Sequence, residues 1–450
     1  TKRLKDIKVS RQGLLSDDLN DLNLSVGDAM TMSGGQNEYA LLGAFYRLNY
    51  SYKGGRYLFE TSGRYDGSSR FRSGHRFGFF PSASIGLRIS EEPFFGNLKK
   101  NIDNVKLRLS YGSLGNQQVG YYDYIQTINT NGTMIYIFGD QKKGSYASVS
   151  DPNSADLTWE TVSTWNVGLD LGFLNNRLNL TADAYVRDTK GMQTSGKKLP
   201  GAYGANEPKQ NAAHLRTKGW ELMLTWNDAF KLANKPFRYN LSVGLADNTS
   251  EITKFDNPSK ILSDYYVGQK LGDIWGYVVD GLFRTDEEAA NYNVDQTAVN
   301  FVINTAQVNP GLHAGDMKFV DLDGDHTISS GSNTADDPGD RKIIGNSLPR
   351  YTYSIQGGFD WYGFDFSIYL QGVGHQDWYP GTNSVFFWGP YARPYSSFIP
   401  RDFLSQVWSP ENPDAYFPRP IGYLALGNNR SLGVVNDRYL QNLAYCRVKN

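Results

Sequence analysis

The 450-residue sequence is poor in cysteine, in net charge and in long apolar runs. Its single cysteine, Cys446, excludes an internal disulfide and a thiolate metal cluster. A formal net charge of −1 provides no general attraction to nucleic acid, so no nucleic-acid partner is expected. No stretch approaches the roughly 20 predominantly apolar residues that a transmembrane helix needs.

Motifs that would indicate catalysis are missing as well. The sequence has no glycine-rich phosphate loop, no nucleophile elbow and no pair of redox cysteines. Its five histidines do not have the spacing of metal ligands. The sequence therefore predicts that the protein is not an enzyme. A secreted β-sheet hydrolase remains an alternative, because the two carboxylates that it needs are recognised by their spatial separation.

Alternating apolar and polar residues are abundant. The segment 157–189 forms the clearest case, with Trp165, Val167 and Leu169 on one parity, a turn at 174–177, and a second alternating run after it. Such alternation on both sides of a short turn predicts two antiparallel strands. The apolar side of these strands belongs either against the core of a soluble sandwich or against lipid in a membrane barrel.

The lengths of strands and connections favour the barrel. Most predicted strands have about ten to thirteen residues, longer than is usual in soluble sheets and suited to crossing a bilayer at a tilt. Short turns at Lys53, Leu174 and Tyr362 alternate with long connections, of which the longest are 252–350 and 377–435. Outer-membrane barrels have short periplasmic turns and long extracellular loops in this way.

An ordered series of motifs resembles the SusC/RagA family of TonB-dependent outer-membrane transporters. The motifs are GRYDGSSRF at 63–71, FPSASIGLRISEEPFF at 80–95, KLRLSYGSLGNQ at 106–117, the hairpin 157–189, GDIWGYVVDGLFRTDEE at 272–288, GDMKFVDLDGDHTI at 315–328 and DRKIIGNSLPRYTYSIQGGFDWYGFDFSIYLQG at 340–372. Together they extend over most of the chain.

The resemblance implies an all-β fold: an antiparallel up-and-down transmembrane barrel segment, the C-terminal half of a plugged barrel of 22 strands. Residues 1–450 would then be a partial barrel domain, with 252–350 and 377–435 as extracellular loops. The plug, the segment that engages TonB and the final strand are expected outside this stretch.

The same resemblance implies a function. It places the protein in the outer membrane of a Gram-negative, Bacteroidetes-like bacterium, in contact with outer-membrane lipid. There it would import oligosaccharides or oligopeptides together with a SusD-like surface lipoprotein, driven through TonB and without a bound cofactor. A dimer of transporter–lipoprotein pairs is one arrangement left open. The alternative is a surface-displayed β-rich binding protein without transport activity.

One acidic turn in the first long loop has the spacing of a calcium site. Asp321, Asp323 and Asp325 occupy positions 1, 3 and 5 of an EF-hand-type loop, and Thr327 offers a backbone carbonyl at position 7. His326 and Ser332 depart from the pattern, so Asp336, Asp337 or Asp340 would have to supply the missing carboxylate after a small insertion. The sequence predicts a structural Ca²⁺ here, and the alternative is a solvated turn.

The second long loop is rich in aromatic residues. We expect some of these rings to contact a substrate or a partner protein, because aromatic side chains provide large rigid contact surfaces. The alternative is that they only pack the loop. The candidate residues are Trp378, Tyr379, Phe386, Phe387, Trp388 and Tyr391.

Overall fold

The fold is all-β. The computed structural model describes residues 1–13, 27, 30–96, 98–137, 143–154, 156–196, 199–299, 311–392, 399–421, 426 and 431–450. Over these residues the strands are β1 Lys2–Arg11, β2 Met30–Tyr39, β3 Leu41–Tyr52, β4 Tyr57–Ser68, β5 Phe77–Arg88, β6 Ile102–Asn116, β7 Ile128–Ile137, β8 Lys143–Val149, β9 Glu160–Phe173, β10 Leu178–Ser195, β11 Lys209–Leu232, β12 Lys235–Lys254, β13 Asp273–Tyr277, β14 Val279–Leu282, β15 Met317–Phe319, β16 Arg341–Asn346, β17 Arg350–Trp361, β18 Phe364–His375, β19 Asp377–Trp378, β20 Gln441–Asn442 and β21 Tyr445–Val448.

Helices are few and short. The α-helices of the described residues are α1 Asp286–Ala290 and α2 Val385–Trp388. Single 3₁₀ turns occur at Lys53–Gly55, Ile89–Glu91, Pro93–Phe95, Leu98–Lys100, Gly201–Tyr203, Gly389–Tyr391 and Phe403–Gln406. Within the ranges described, no helix has both the length and the apolar character required to cross a membrane.

Eleven strands form one sheet in the order β3, β4, β5, β6, β9, β10, β11, β12, β17, β18 and β21. Each strand therefore lies beside its nearest strand of the same sheet along the chain, and the hairpins β3–β4, β4–β5 and β17–β18 are antiparallel. This order confirms the predicted up-and-down arrangement. Among the described residues the sheet is not closed, because β3 and β21 stand at its two ends.

The strands have two chemically different faces. The register places Tyr239 opposite Phe359, and Phe359 opposite Phe366, so the three rings share one face. Phe359 and Phe366 stack with ring centroids 5.4 Å apart, and Phe366 remains 50% exposed. Their neighbours Asn240 and Ser367 point to the other face, because side chains alternate along a strand.

Several strands are longer than their sequence patterns predict. β11 has 24 residues and β12 has 20, and the two meet at Ala233 and Asn234, which both have positive φ. The turn between β17 and β18 likewise consists of Tyr362 and Gly363, with φ of 48° and 85°. Two residues with positive φ form the tight hairpin turn whose twist matches that of the strands.

Contacts divide the chain into two compact units. The first consists of Thr1–Arg88, Arg108–Asn166 and Arg187–His214, and the second of Ile89–Leu107, Val167–Val186 and Leu215–Asn450. The first unit contains the β1–β2 hairpin, for which the sequence pattern gave no prediction, and a small cluster formed by Phe71, Phe80 and Trp159.

The second unit contains the largest hydrophobic core. We call it the loop core, because its buried members lie in or beside the two long connections 252–350 and 377–435. They are Tyr277, Leu282, Val299, Met317, Phe319, Ile328, Trp388, Tyr391, Phe403, Val407, Phe417, Leu426, Leu432 and Tyr439. Strands β13, β14 and β15 of two small sheets, β13–β16 and β14–β15, contribute Tyr277, Leu282, Met317 and Phe319 to it, and a third small sheet is β19–β20. The two connections, which have no strand pattern in the sequence, therefore share a packed interior.

Candidate functional site

Backbone hydrogen bonds join the first long loop to the end of the second and to the residues that follow it. The N–H of Tyr277 donates to the carbonyl of Val435 at 2.9 Å, and the N–H of Asp437 donates to the carbonyl of Tyr277 at 3.1 Å. The carboxylate of Asp437 also accepts from the N–H of Val279 at 2.9 Å. Backbone groups that leave water must find such partners, so these bonds allow the loops to fold against each other.

Trp388 lies at the centre of the loop core. It is completely buried, and its ring contacts those of Phe387, Phe417 and Tyr439, with the Tyr439 centroid 5.2 Å away. Its indole N–H donates to the carbonyl of Gly381 at 3.1 Å. A buried indole that has both ring partners and an acceptor is a packing residue, and its surface is not available to a ligand.

Two tyrosines anchor the core through their hydroxyl groups. The Tyr379 hydroxyl donates to the carbonyl of Val434 at 2.8 Å and accepts from the side-chain amide of Asn436 at 2.9 Å. The Tyr391 hydroxyl donates to the carbonyl of Pro418 at 2.6 Å. Burial raises the pKa of both hydroxyls, so they remain neutral donors at any physiological pH.

The six aromatic residues predicted to contact a substrate or partner therefore divide into two groups. Tyr379, Phe387, Trp388 and Tyr391 are buried in the loop core or packed against it, as the packing alternative requires. Trp378 and Phe386 are exposed, and Phe386 leaves 92% of its surface free. For these two residues, contact with a substrate or partner stays a prediction.

An ion pair that the sequence did not reveal connects the two long loops. Arg419 donates to both carboxylate oxygens of Asp316, at 2.6 and 3.2 Å, and the Asp316 side chain is only 6% exposed. The two residues are more than a hundred positions apart, so no local spacing could have paired them. By contrast, the ion pair of Arg284 with Asp414 has the same shortest distance, 2.6 Å, but both side chains are largely exposed.

The acidic turn brings together three of the six predicted calcium ligands. Oxygen atoms of Asp321, Asp323 and Asp325 lie within 4.8 Å of one another. Each carboxylate also caps the turn: Asp321 accepts from the N–H groups of Gly324 and His326, and Asp325 accepts from that of Thr327 at 2.7 Å. The turn is thus pre-shaped, and its carboxylates converge.

The other predicted ligands have different positions. Asp340 is fully buried and accepts from the N–H groups of Leu322 and Ser329, both at 2.7 Å, so it holds the two ends of the turn together. Asp336 is exposed and pairs with Lys260 at 2.7 Å. The structure therefore does not bring Asp336 to the other carboxylates, and its part in the ligand set stays a prediction.

Crowding of like charges is evident at Asp323. A hydrogen bond from the N–H of Asp325 lowers its pKa, but desolvation of the carboxylate and the charges of Asp340, Asp325 and Asp321 outweigh it, so the pKa is raised. Desolvation also acts on Asp321, but there the N–H donors of Gly324 and His326 prevail, and the pKa is lowered. A cation would relieve the repulsion at Asp323.

The polar face of the sheet carries a cavity within the second unit. It has a volume of about 290 Å³ and is lined by residues of β10, β11, β12, β17 and β18. Carboxylates of Asp183 and Glu221 contribute to it, together with the side chains of Thr181, Ser354 and Gln371. Polar groups on this face suit contact with water, in contrast to the aromatic rows on the opposite face.

Comparisons with known proteins place the chain among TonB-dependent receptors. The family model described as TonB dependent receptor-like, beta-barrel matches residues 9–398. The TonB-dependent receptor SusC of Bacteroides thetaiotaomicron is 33% identical over 426 residues, which cover 91% of this chain and 37% of SusC. TonB-dependent receptor P39 of Formosa agariphila is 30% identical over 371 residues, or 77% of this chain and 33% of that protein.

The similarity extends to the fold. The chain aligns with one chain of the RagAB peptide importer in its open-open state with a TM-score of 0.71 and 21% identity, covering 99% of this chain and 44% of that chain. The chain spans little more than a third of the length of the curated relatives that it matches. With the two-faced sheet and the family match together, the chain belongs to the TonB-dependent receptor-like β-barrel family.

Proposed function

We propose that the chain is part of an outer-membrane importer that takes up oligosaccharides or oligopeptides in a TonB-dependent manner, together with a SusD-like lipoprotein. One observation carries this proposal: the eleven-stranded sheet has an exposed apolar face and a polar face that contains a cavity. A barrel wall between lipid and a wet lumen needs these two faces. The family match supports the dependence on TonB.

The loop core supports a role in capture at the cell surface. The two long loops share a packed core, and Trp378 and Phe386 of the second loop are exposed, as a docking surface for a lipoprotein or a substrate requires. RagAB, whose fold is similar, is a peptide importer, but SusC is the relative with the higher identity. The choice between oligosaccharide and oligopeptide is therefore left to experiment.

The test uses the full-length protein in its native cell. We expect deletion of its gene to abolish growth on one class of oligomer as sole nutrient, and removal of TonB to have the same effect. We further expect the protein purified from the outer membrane to carry a lipoprotein and a bound oligomer, identified by mass spectrometry. Normal uptake of every tested oligosaccharide and oligopeptide in the deletion strain would contradict the proposal.

A surface-displayed binding protein is the second candidate, because exposed aromatic residues on a folded loop body also suit binding without transport. The two candidates differ in one measurement. An importer moves a labelled oligomer into the periplasm only when TonB is present, whereas a binding protein retains the label at the surface with or without TonB. Release of all label by external protease would support the binding protein.

We also propose that Asp321, Asp323 and Asp325 bind a structural Ca²⁺. Their spacing, the convergence of their oxygen atoms and the raised pKa of Asp323 support this proposal. Asp340 would act as a positioning residue, since both its oxygens already accept backbone N–H groups. The ion would stabilise the loop and would take no part in transport chemistry.

A further inference from the structure

A second cavity lies between the sheet and the first long loop, within the second unit. It has a volume of about 370 Å³, and ligand pockets begin at about 300 Å³. Asn248 and Ser250 of β12 and His375 of β18 line it on the side of the sheet. Residues of 270–273 and 343–348 line it on the side of the loop. The cavity is thus a candidate binding site that the predicted contacts did not include.

The cavity belongs to the polar side of the sheet. In β12, Asn248 and Ser250 lie an even number of residues after Asn240. In β18, His375 lies an even number of residues after Ser367. Side chains alternate along a strand, so all three lining residues share the polar face. The tight hairpin turns of these strands are at their other ends, and the cavity is therefore at the end from which the two long loops leave.

Two carboxylates of this cavity have an oxygen that is still open to a donor. Asp377, the first residue of β19, is only 6% exposed. Its Oδ2 accepts from the backbone N–H of Asn346 at 2.9 Å and lies 2.9 Å from Nε2 of His375, whereas its Oδ1 has no hydrogen bond with any residue that the structure describes. Asp273 likewise uses only Oδ1, which accepts from the side-chain amide of Asn346 at 3.0 Å. Both oxygens of a carboxylate accept hydrogen bonds, so one acceptor on each side chain remains for a ligand.

The charges around the cavity do not cancel. Arg350 donates to both oxygens of Asp247, at 2.6 and 2.5 Å, so this ion pair is neutral as a whole. Asp273 and Asp377 add two negative charges. Lys270 adds one positive charge, is exposed, and forms no ion pair within the described part of the chain. With the neighbouring histidine neutral, one negative charge is left over, and a single cation in the cavity would balance it.

We propose that this cavity binds an ammonium group of the transported oligomer through Asp273 and Asp377. An ammonium group combines a positive charge with N–H donors, so it matches both the open acceptors and the excess charge. Trp378, the next residue of β19, is exposed and is itself a proposed contact of the substrate. The inference rests on the proposed function and narrows its substrate to oligomers with a free amine, which are unblocked oligopeptides or oligosaccharides of amino sugars.

The test compares matched probes that differ only in the amine. The first pair is a short peptide of alanine and serine with an amidated C-terminus, either with a free N-terminus or with an acetylated one. The second pair is a glucosamine oligomer and the same oligomer with every amine acetylated. Calorimetric titration of the full-length protein in detergent, together with any lipoprotein that co-purifies, measures the four affinities at neutral pH.

We expect the unmodified protein to bind the free amine of at least one pair about tenfold or more tightly than its acetylated form, the effect of one hydrogen bond between charged groups. Asp377→Asn and Asp273→Asn each remove a charge but keep an acceptor oxygen, and each should bring this ratio close to one. Asp264→Asn is the matched control and should leave the ratio unchanged, because Asp264 is an exposed acid of the same loop outside the cavity. Misfolding would weaken both forms alike, so the ratio separates lost recognition from lost folding.

A preference for the amine in one pair would support the inference and identify the source as peptide or amino sugar. Equal binding within both pairs would overturn it, and this result is expected if another segment of the full-length protein fills the cavity. A parallel loss for both forms in the two cavity variants would also overturn it, since the carboxylates would then have only a structural role. TonB-dependent import without any preference for the amine would refute this inference alone, whereas the absence of TonB-dependent import of every oligomer would refute the proposed function.

Discussion

Two neighbouring aromatic residues, Phe386 and Trp388, differ completely in burial although both belong to α2. Trp388 is fully buried and Phe386 is 92% exposed. The short helix therefore has one residue directed into the loop core and one directed away from it. Sequence alone gives both residues the same value as candidate contacts, because neither lies in a long periodic element that would reveal its inner face.

This difference predicts opposite effects of the same substitution. Trp388→Ala should destabilise the loop core by about 3–5 kcal/mol, since it removes a fully buried ring and opens a cavity. Phe386→Ala should change that stability by less than about 0.5 kcal/mol. Hydrogen exchange of backbone amides in the loop core of the full-length protein measures both. Equal protection in the two variants would contradict the assignment of Trp388 to the interior.

At the scale of elements, strands were predicted more reliably than loops. The alternation in 157–189 predicted β9, β10 and their turn, and Tyr362 with Gly363 marked the β17–β18 turn. These signals are local: side-chain parity and turn residues act within a few positions. The full lengths of β11 and β12 do not follow from the sequence, because apolar residues do not alternate with polar ones in 209–219 and 246–254.

The loop core could not be predicted, for a physical reason. Its contacts join residues far apart in the chain, such as Asp316 with Arg419 and Tyr277 with Val435, and irregular segments have no period that would reveal an inner face. Only the density of aromatic residues gave a signal. The acidic turn is recognisable by its spacing, but spacing does not specify ligands from beyond the turn, where Asp336 pairs with Lys260.

The acidic turn gives a prediction for the whole loop element. Asp323→Asn should weaken Ca²⁺ binding at least about tenfold, because charge and ligand number set affinity in such loops. Asp336→Asn is the control, since Asp336 is also a carboxylate of this loop but pairs with Lys260. Calorimetric titration of the full-length protein with Ca²⁺ measures both affinities. An equal loss of affinity in the two variants would show that Asp323 is not a specific ligand of the ion.

The pH should change both the stability of the calcium-free acidic turn and its affinity for Ca²⁺ in a defined direction. The pKa of Asp323 is raised above its ordinary 3.8, so protonation of this group stabilises the calcium-free turn below pH 3.8, and that stabilisation is lost as the pH rises through the raised value. Ca²⁺ requires the deprotonated carboxylate and therefore binds more weakly as the pH falls toward this window.

Because the sheet has an apolar and a polar face, we expect the loss of stability on introducing a charge to depend strongly on the face that receives it. Phe366→Arg places a charge on the apolar side of β18 and should lower barrel stability by up to about 2–4 kcal/mol, with the largest cost near the bilayer midplane. Ser367→Arg, one residue later, points to the polar side and should cost little. Folding titrations in detergent or lipid, followed by heat-modifiable gel mobility, compare the two. Comparable losses would contradict a lipid-facing apolar side.

At the scale of the whole molecule, the proposed function gives the eleven-stranded sheet and the long loops different roles. In the proposed importer the sheet would have to stay inserted for any transport, whereas the exposed rings of Trp378 and Phe386 would act only when a partner or substrate is present. Trp378→Ser with Phe386→Ser should therefore weaken capture of the lipoprotein or oligomer roughly thirtyfold, the effect of losing a hot spot of about 2 kcal/mol. The amount of protein in the outer membrane should not change, because both side chains are exposed.

Two measurements test the weakened capture in this double variant. They are growth of the native cell on the transported oligomer and recovery of the lipoprotein on purification. Leu404→Ser is the matched control, because Leu404 is 81% exposed beside Phe403 of the loop core but is not among the predicted contacts. A selective loss in the Trp378 and Phe386 variant assigns capture to these two rings. An equal loss in the control would show that any apolar residue on this surface suffices, and unchanged growth with full recovery of the lipoprotein would place capture elsewhere on the molecule.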